Sequence, residues 1–174
     1  MVSDGVYDVL FLCTRNAARS IIAEAILDKL GQGKFNGYSA GTNPKGSIDP
    51  HAISLLTQMG HPVDELRSKS IDEFSGEGAP FFDFIITLCD KAAGEPMPTW
   101  HGHPVTATWS FPDPSRFENG EHNEAEIAAE FAETYKDINT LLQTFVSLPP
   151  ESLDRLSLEN HMGAVSAQHA AKRG

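Results

Sequence analysis

Apolar residues occur along this chain in short continuous runs. Between those runs, apolar residues recur about every three to four positions, which is the period of an α-helix. The runs at 6–12 (VYDVLFL) and 81–88 (FFDFIITL) are nearly continuous, which is typical of strands buried on both faces of a parallel sheet. Residues 35–40 and 105–109 predict two further strands, the first closed by Gly41. The pattern therefore predicts four strands.

The apolar residues that recur at the spacing of an α-helix predict helices between these strands and after the last one. The first predicted helix follows a polar turn at 13–20, and its apolar residues are Ile21, Ile22, Ala25, Ile26 and Leu30. Asp49 is predicted to cap a second helix with Pro50 in its first position, and the predicted apolar face is Ile53, Leu55, Leu56 and Met59. A helical turn is expected at 70–74. A long helix is expected at 123–145, with an inward face formed by Ile127, Phe131, Ile138, Leu141, Leu142 and Phe145.

Strands that alternate with helices predict an α/β fold with a parallel sheet and helices on both of its faces. We expect one domain over residues 1–150 and a polar tail at 151–174 that is either helical or disordered. Ligands of such folds bind outside the carboxyl ends of the strands. Cys13 follows the first strand and Cys89 ends the third, so both thiols are expected at the same edge of the sheet.

The composition narrows the classes of partner that the chain can have. A formal net charge of -11 disfavours attraction to nucleic acid or to an anionic membrane surface. No apolar run reaches the roughly 18 residues that a membrane span requires. Two cysteines are too few for a disulfide scaffold and lack the spacing of a metal site. We expect a cytoplasmic protein in which local donors hold any anionic substrate.

Residues 13–20 (CTRNAARS) place a cysteine and an arginine five residues apart, between a buried strand and a helix. A strand-to-helix loop of this kind directs successive backbone N–H groups inward, and the helix N-terminus adds the positive end of a dipole. Small side chains at positions 17 and 18 leave room for a tetrahedral oxyanion. We therefore assign the predicted substrate contacts to Thr14, Arg15, Asn16, Ala17, Ala18 and Ser20.

Arg19 and Cys13 give this loop its predicted chemistry. The planar guanidinium of Arg19 can bind two oxygens of an oxyanion at once. A helix N-terminus and a nearby arginine favour the thiolate form of cysteine, so Cys13 is predicted to be a nucleophile at neutral pH, with Ser20 donating a hydrogen bond to its sulfur. The alternative is a small buried core cysteine beside an ordinary surface arginine.

Asp113 and Cys89 are the other candidate catalytic residues. Asp113 lies between two prolines and could protonate the oxygen that leaves when a thiolate attacks arsenic or phosphorus. Pro-Asp-Pro is also ordinary turn chemistry. Cys89 could attack an oxidised or arsenylated Cys13 and form a disulfide, or it could be a buried residue at a strand end.

The remaining polar residues predict no further site. The seven histidines are scattered and are expected to be solvated, and His101 and His103 lack a third ligand with matching spacing. The acidic run at 121–133 is interpreted as a solvated helix face.

Residues 9–20 (VLFLCTRNAARS) resemble the nucleophile loop of the low-molecular-weight protein tyrosine phosphatases and of the arsenate reductases derived from them. The resemblance extends over about 7–148 and implies a single-domain three-layer α/β/α sandwich with a four-stranded parallel sheet. Four further stretches resemble the arsenate-reductase branch: 38–42 (YSAGT), 67–70 (RSKS), 86–89 (ITLC) and 109–114 (WSFPDP).

The resemblance also implies a role for each matching residue. Cys13 would be the nucleophile, Arg19 would clasp the oxyanion, and Asp113 would be the general acid. Asn16 would brace the loop, and Cys89 would be the second redox thiol.

Three positions depart from the family pattern. Relatives that recycle through thioredoxin carry a third cysteine soon after the second, but residues 90–96 (DKAAGEP) contain no thiol. Arg15 stands where the family often has a small residue. Ser115 stands where the tyrosine phosphatases carry an aromatic residue that grips the substrate ring. A three-cysteine relay is therefore not expected.

Three functions follow as hypotheses. The first is a thiol-dependent arsenate reductase for arsenic detoxification, with no bound cofactor, residual phosphatase activity, and an external reductant that is glutathione with glutaredoxin, mycothiol or a thioredoxin system. The second is a phosphatase that acts through a phosphocysteine. The third is a catalytically silent oxyanion sensor. A monomer and a homodimer both remain open.

Overall fold

A four-stranded parallel sheet forms the centre of the protein. The computed structural model describes residues 6–75, 78–89, 92, 100 and 104–148. Its strands are β1 (Tyr7–Cys13), β2 (Phe35–Gly41), β3 (Phe84–Thr87) and β4 (Val105–Thr108), in the order β2-β1-β3-β4. Leu12 of β1 pairs with Ala40 of β2 and with Thr87 of β3. The predicted α/β fold with four parallel strands is confirmed.

Three α-helices accompany the sheet in the described residues: α1 (Arg19–Leu30), α2 (Pro50–Gln58) and α3 (Glu124–Ser147). Short 3-10 helices span Ile71–Phe74 and Pro114–Glu118. Side chains alternate along β1, so Val9 and Phe11 join the large core under the α-helices. Leu10 and Leu12 point to the opposite face, which is covered by Ile71 and Phe82, with Tyr38, Phe74 and Trp100 at its margin.

Local sequence signals fix the helix starts. The Asp49 side chain accepts a hydrogen bond from the backbone N–H of His51, so the predicted cap of α2 is confirmed. Asn123 and Glu126 form a reciprocal capping box at the start of α3. The predicted inward face of α3 is buried at all six positions, which are Ile127, Phe131, Ile138, Leu141, Leu142 and Phe145.

Two predicted details are wrong. The third strand begins at Phe84 rather than at position 81, because only Phe84–Thr87 pairs with β1, and the Phe81 side chain is 67% exposed. Met59 lies just after the end of α2 at Gln58 and is 45% exposed, whereas Leu56 of the predicted apolar face is buried, together with Ala52.

The predicted boundary between a domain at 1–150 and a tail at 151–174 stays a prediction, because the tail lies outside the described residues. None of the described helices is long and apolar enough to span a membrane.

Candidate active site

The 13–20 segment is a tight loop at the carboxyl end of β1, and it leads directly into α1. Its carbonyl oxygens accept hydrogen bonds from the segment that follows β2: Cys13 from Thr42, Thr14 from Asn43, Arg15 from Lys45 and Ala17 from Asp49, at 2.8–3.2 Å. In a trans peptide unit the carbonyl and the next N–H point in opposite directions. Since the four carbonyls point to the 42–49 segment, the N–H groups of Thr14, Arg15, Asn16 and Ala18 point to the other side of the loop, as an oxyanion cradle requires.

Asn16 holds this loop in shape from its centre. It is fully buried, and its φ of 49° lies in the left-handed region, which asparagine tolerates better than most residues. Its side-chain Nδ2 donates to Ser20 Oγ at 2.7 Å, and its Oδ1 accepts from the backbone N–H of Lys69 at 2.9 Å. A Cβ atom at Gly41 would lie 2.6 Å from the Thr14 carbonyl oxygen, so the loop also needs glycine beside it.

Cys13 lies at the base of the loop with its sulfur against a serine. The residue is 3% exposed, and Cys13 Sγ is 2.9 Å from Ser20 Oγ. Because the Ser20 oxygen already accepts from Asn16, its own proton is available to be donated to the sulfur. This arrangement can stabilise a thiolate, and it is the contact that the sequence predicts.

Arg19 and Asp113 come together across the mouth of the site although they are far apart in sequence. Arg19 Nη1 donates to the Phe111 carbonyl at 2.9 Å, and Arg19 Nη2 lies 3.6 Å from Asp113 Oδ2. The Asp113 side chain is 41% exposed, and its Oδ1 accepts from both the N–H and the hydroxyl of Ser115, at 2.9 and 2.7 Å. The Oδ2 atom is therefore the one turned to Arg19.

Cys89 lies close to the nucleophile loop, as its position after β3 predicts. Cys13, Cys89 and Ala92 form one buried cluster, and both cysteines are free thiols. Thr14 Oγ1 is 3.6 Å from Cys89 Sγ. The Arg15 side chain, in contrast, is exposed, while its carbonyl accepts from Ser68 Oγ as well as from Lys45.

A buried charged network beneath the loop was not assigned from sequence. Lys69 is 8% exposed, and its Nζ lies 2.9 Å from the Arg67 carbonyl, 3.4 Å from Ser39 Oγ and 3.7 Å from Glu24 Oε1. Burial raises the pKa of Glu24, which Lys69 partly offsets, and burial lowers the pKa of Lys69, which Glu24 opposes. The family-like stretches at 38–42 and 67–70 were the available signal, since they contain Ser39 and Lys69.

The prediction that the histidines are solvated is wrong at two positions. His61 is buried, and its Nε2 lies 2.6 Å from the Tyr135 hydroxyl. His51 is surrounded by carboxylates of Asp49, Glu118 and Glu124, because the ends of three elements converge on it. His101 and His103 lie outside the described residues. The acidic run is also less solvated than predicted at Glu130, whose side chain is 11% exposed and pairs with Arg116.

The protein is similar in sequence to known enzymes over most of its length. The sequence model of the family "Low molecular weight phosphotyrosine protein phosphatase" matches residues 8–157. The arsenate reductase of Halalkalibacterium halodurans is 30% identical over 137 residues, which cover 79% of this chain and 93% of that protein. The glutaredoxin arsenate reductase of Synechocystis is 30% identical over 106 residues, which cover 61% of this chain and 77% of that protein.

Solved structures show the same fold. The arsenate reductase from Archaeoglobus fulgidus aligns with a TM-score of 0.57 at 26% identity, and the alignment covers 78% of this chain and 98% of that chain. The sequence match spans both the 13–20 loop and the 109–114 segment. The chain therefore belongs to the low molecular weight phosphotyrosine protein phosphatase family and is related to its arsenate reductases.

Proposed function

We propose that this protein reduces arsenate to arsenite in arsenic detoxification, with Cys13 as the nucleophile. The observation that carries the proposal is the sulfur of Cys13 held by Ser20 beneath a loop whose amide groups turn to one side. The similarity to proteins named arsenate reductases, at 30% identity over 93% of one of them, supports arsenate as the oxyanion.

The first step is attack on bound arsenate. The amide groups of Thr14, Arg15, Asn16 and Ala18 and the guanidinium of Arg19 hold the arsenate oxygens, and Ser20 stabilises the thiolate. Cys13 Sγ forms a bond to arsenic while an arsenic–oxygen bond breaks, and the departing oxygen takes a proton. Asp113, exposed at the mouth of the site beside Arg19, is the proposed proton donor.

The second step reduces the arsenic. A thiol sulfur attacks Cys13 Sγ, the sulfur–arsenic bond breaks, and its electron pair leaves with arsenic as arsenite. The product on the protein is a disulfide to Cys13, so two thiols are oxidised for each As(V) reduced to As(III). Cys89 is the proposed attacking thiol within the chain, because it shares a buried cluster with Cys13. A small external thiol is the alternative.

An external thiol reductant must then reopen the disulfide. Residues 90–96 contain no cysteine, so the chain lacks a third thiol there to carry the oxidation outward. The similarity to a glutaredoxin arsenate reductase supports glutathione with glutaredoxin as the proposed donor, with mycothiol and a thioredoxin system as the alternatives. The 1–150 segment is the proposed catalytic domain.

A phosphatase that acts through a phosphocysteine is the second candidate. It is favoured by the family match itself, since arsenate and phosphate share shape and charge and the same Cys13, Arg19 and Asp113 would serve both. Ser115 in place of an aromatic after the Asp-Pro pair argues for low activity on phosphotyrosine.

The test measures arsenite produced from arsenate by the purified protein with small thiols, a glutaredoxin system and a thioredoxin system in parallel. Hydrolysis of p-nitrophenyl phosphate is measured beside it, and Cys89→Ser serves as the paired variant. Arsenite production with one donor supports the reductase and identifies its reductant. Fast ester hydrolysis without arsenite would overturn the reductase in favour of the phosphatase.

A further inference from the structure

Asp49, His51 and Glu118 form a second cluster of ligand-type side chains outside the Cys13 loop. One nitrogen of His51 and one oxygen from each carboxylate lie within 4.8 Å of one another. Asp49 and His51 lie at the start of α2, whereas Glu118 ends the 3-10 helix Pro114–Glu118. Folding thus brings an imidazole and two carboxylates from distant segments to one point.

Two carboxyl groups meet beside a single imidazole in this cluster. Asp49 is 3% exposed, and one of its carboxylate oxygens lies within 4.8 Å of a carboxylate oxygen of Glu118. Two ionised carboxylates in contact repel each other unless a cation lies between them. Besides the carboxylates of Asp49 and Glu118, the His51 imidazole also contacts the carboxylate of Glu124. A divalent cation would neutralise the first two carboxylates completely.

His51 is oriented as metal-binding histidines are. Its Nε2 lies 2.9 Å from Glu124 Oε2, and its Nδ1 lies 3.2 Å from Asp49 Oδ1 and 2.5 Å from Glu118 Oε2. A carboxylate that accepts the N–H of one ring nitrogen leaves the lone pair on the other nitrogen. Here that lone pair would point to the two remaining carboxylates. Metal-bound histidines almost always donate their other N–H to a carboxylate, a backbone carbonyl or water.

We propose that Asp49, His51 and Glu118 bind a divalent transition-metal ion, with Glu124 orienting the imidazole. One nitrogen and two carboxylate oxygens suit Zn²⁺, Co²⁺, Mn²⁺ or Fe²⁺ better than Ca²⁺ or Mg²⁺, which prefer all-oxygen sites. The backbone N–H of Asp49 donates to the Ala17 carbonyl at 2.9 Å, and Glu118 ends the helix that Asp113 caps. The ion would therefore connect the nucleophile loop to the loop that carries Asp113.

The test is a titration of the full chain with Co²⁺ alone, without a polyhistidine tag. Cys13 and Cys89 are both replaced by serine in this protein, so that sulfur cannot bind the ion, and circular dichroism verifies that the fold is retained. We expect one Co²⁺ per chain, with visible absorption of nitrogen and oxygen ligation, displaced by Zn²⁺. Because the readout is metal binding, it succeeds or fails independently of arsenate reduction.

Substitutions in the same protein identify the ligands. His51→Gln should remove binding, Glu118→Gln should weaken it by at least about tenfold, and Glu124→Gln by roughly tenfold. His122→Gln is the matched control, because His122 lies 3.7 Å from the Glu126 carboxylate and stacks on Phe117 outside the cluster. It should leave the dissociation constant unchanged.

Glu118→Gln keeps the test decisive if His51→Gln disturbs the start of α2, since the Glu118 side chain is 26% exposed and caps no helix. The proposal is overturned if the folded parent protein binds no Co²⁺, or if binding survives both His51→Gln and Glu118→Gln.

Discussion

The two sides of the candidate active site are held in different ways. On the nucleophile side Cys13 is 3% exposed, Asn16 and Ser20 are fully buried, and the loop is bonded to segments tens of residues away. On the acid side Asp113 is 41% exposed, and both hydrogen bonds to its Oδ1 come from Ser115, two residues on. Long-range contacts thus hold the proposed nucleophile in a buried position, whereas the proposed acid is held by local contacts and stays accessible to water.

The largest expected effect on stability is on the buried side, where Lys69→Met leaves the Glu24 carboxylate without its cation. We expect the free energy of unfolding to fall by about 3 kcal/mol, because removal of one partner leaves a buried charge unpaired. Urea unfolding followed by circular dichroism measures the change. The double variant Glu24→Gln/Lys69→Met is the control and should regain part of the loss. Equal stability of Lys69→Met and the parent protein would show that this network does not support the loop.

On the accessible side, Asp113→Asn should affect rate rather than stability. We expect arsenite production to fall about 100-fold, because the amide cannot supply a proton to the departing oxygen. The inhibition constant of phosphate and the unfolding midpoint should change little, since the side chain is 41% exposed. Steady-state kinetics with the preferred reductant gives the rate. A decrease of less than about threefold would remove Asp113 from the proposed acid role.

A pair of identical substitutions compares the two sides directly. Ser20→Ala should slow arsenite production about tenfold, because it removes a buried hydrogen bond to the attacking sulfur. Ser115→Ala should slow it only about threefold, because its bond to Asp113 is screened by solvent. Both rates are measured below saturating arsenate at neutral pH. Equal effects, or a larger effect at Ser115, would contradict the proposed difference between the two sides.

The smallest expected effect concerns His61, which lies away from the site. Burial lowers the pKa of His61, so as pH falls below the ordinary histidine value of about 6.5 the unfolded chain takes up a proton that the folded chain resists. This contribution to stability is therefore present above that value and is lost on acidification. Between about pH 7 and pH 5.5, the parent protein should lose more unfolding free energy than His61→Gln, as measured by urea titration. Equal losses in the two proteins would show that His61 does not contribute.

Local patterns in the sequence predicted the strands, the helix caps and the nucleophile loop. The apolar run before Cys13, the spacing to Arg19 and the Asp49–Pro50 pair each depend on a few neighbouring residues. The contact between Ser20 and Cys13 also followed from one loop. Short-range stereochemistry is sufficient for all of these features.

Contacts between distant segments were less accessible to sequence reasoning. Lys69 reaches Glu24 and Ser39 only after β2 and the 67–70 segment pack beside α1, and the solitary lysine gives no local signal of burial. The same holds for His51, which meets Glu118 and Glu124 only in the folded chain. The third strand was predicted too long because apolarity at 81–83 resembles a strand, whereas pairing with β1 begins at Phe84.

The role of Cys13 is tested most directly by comparing arsenite release from Cys13→Ser and from the parent protein, with the reductant that supports turnover. Both proteins are compared at equal folded concentration, with phosphate inhibition of the parent as evidence that the loop binds the oxyanion. If the Cys13 sulfur is the nucleophile, Cys13→Ser releases arsenite no faster than the reductant alone, a loss of at least about a thousandfold. Protein-dependent arsenite release by Cys13→Ser would contradict the central claim that the Cys13 sulfur attacks arsenic.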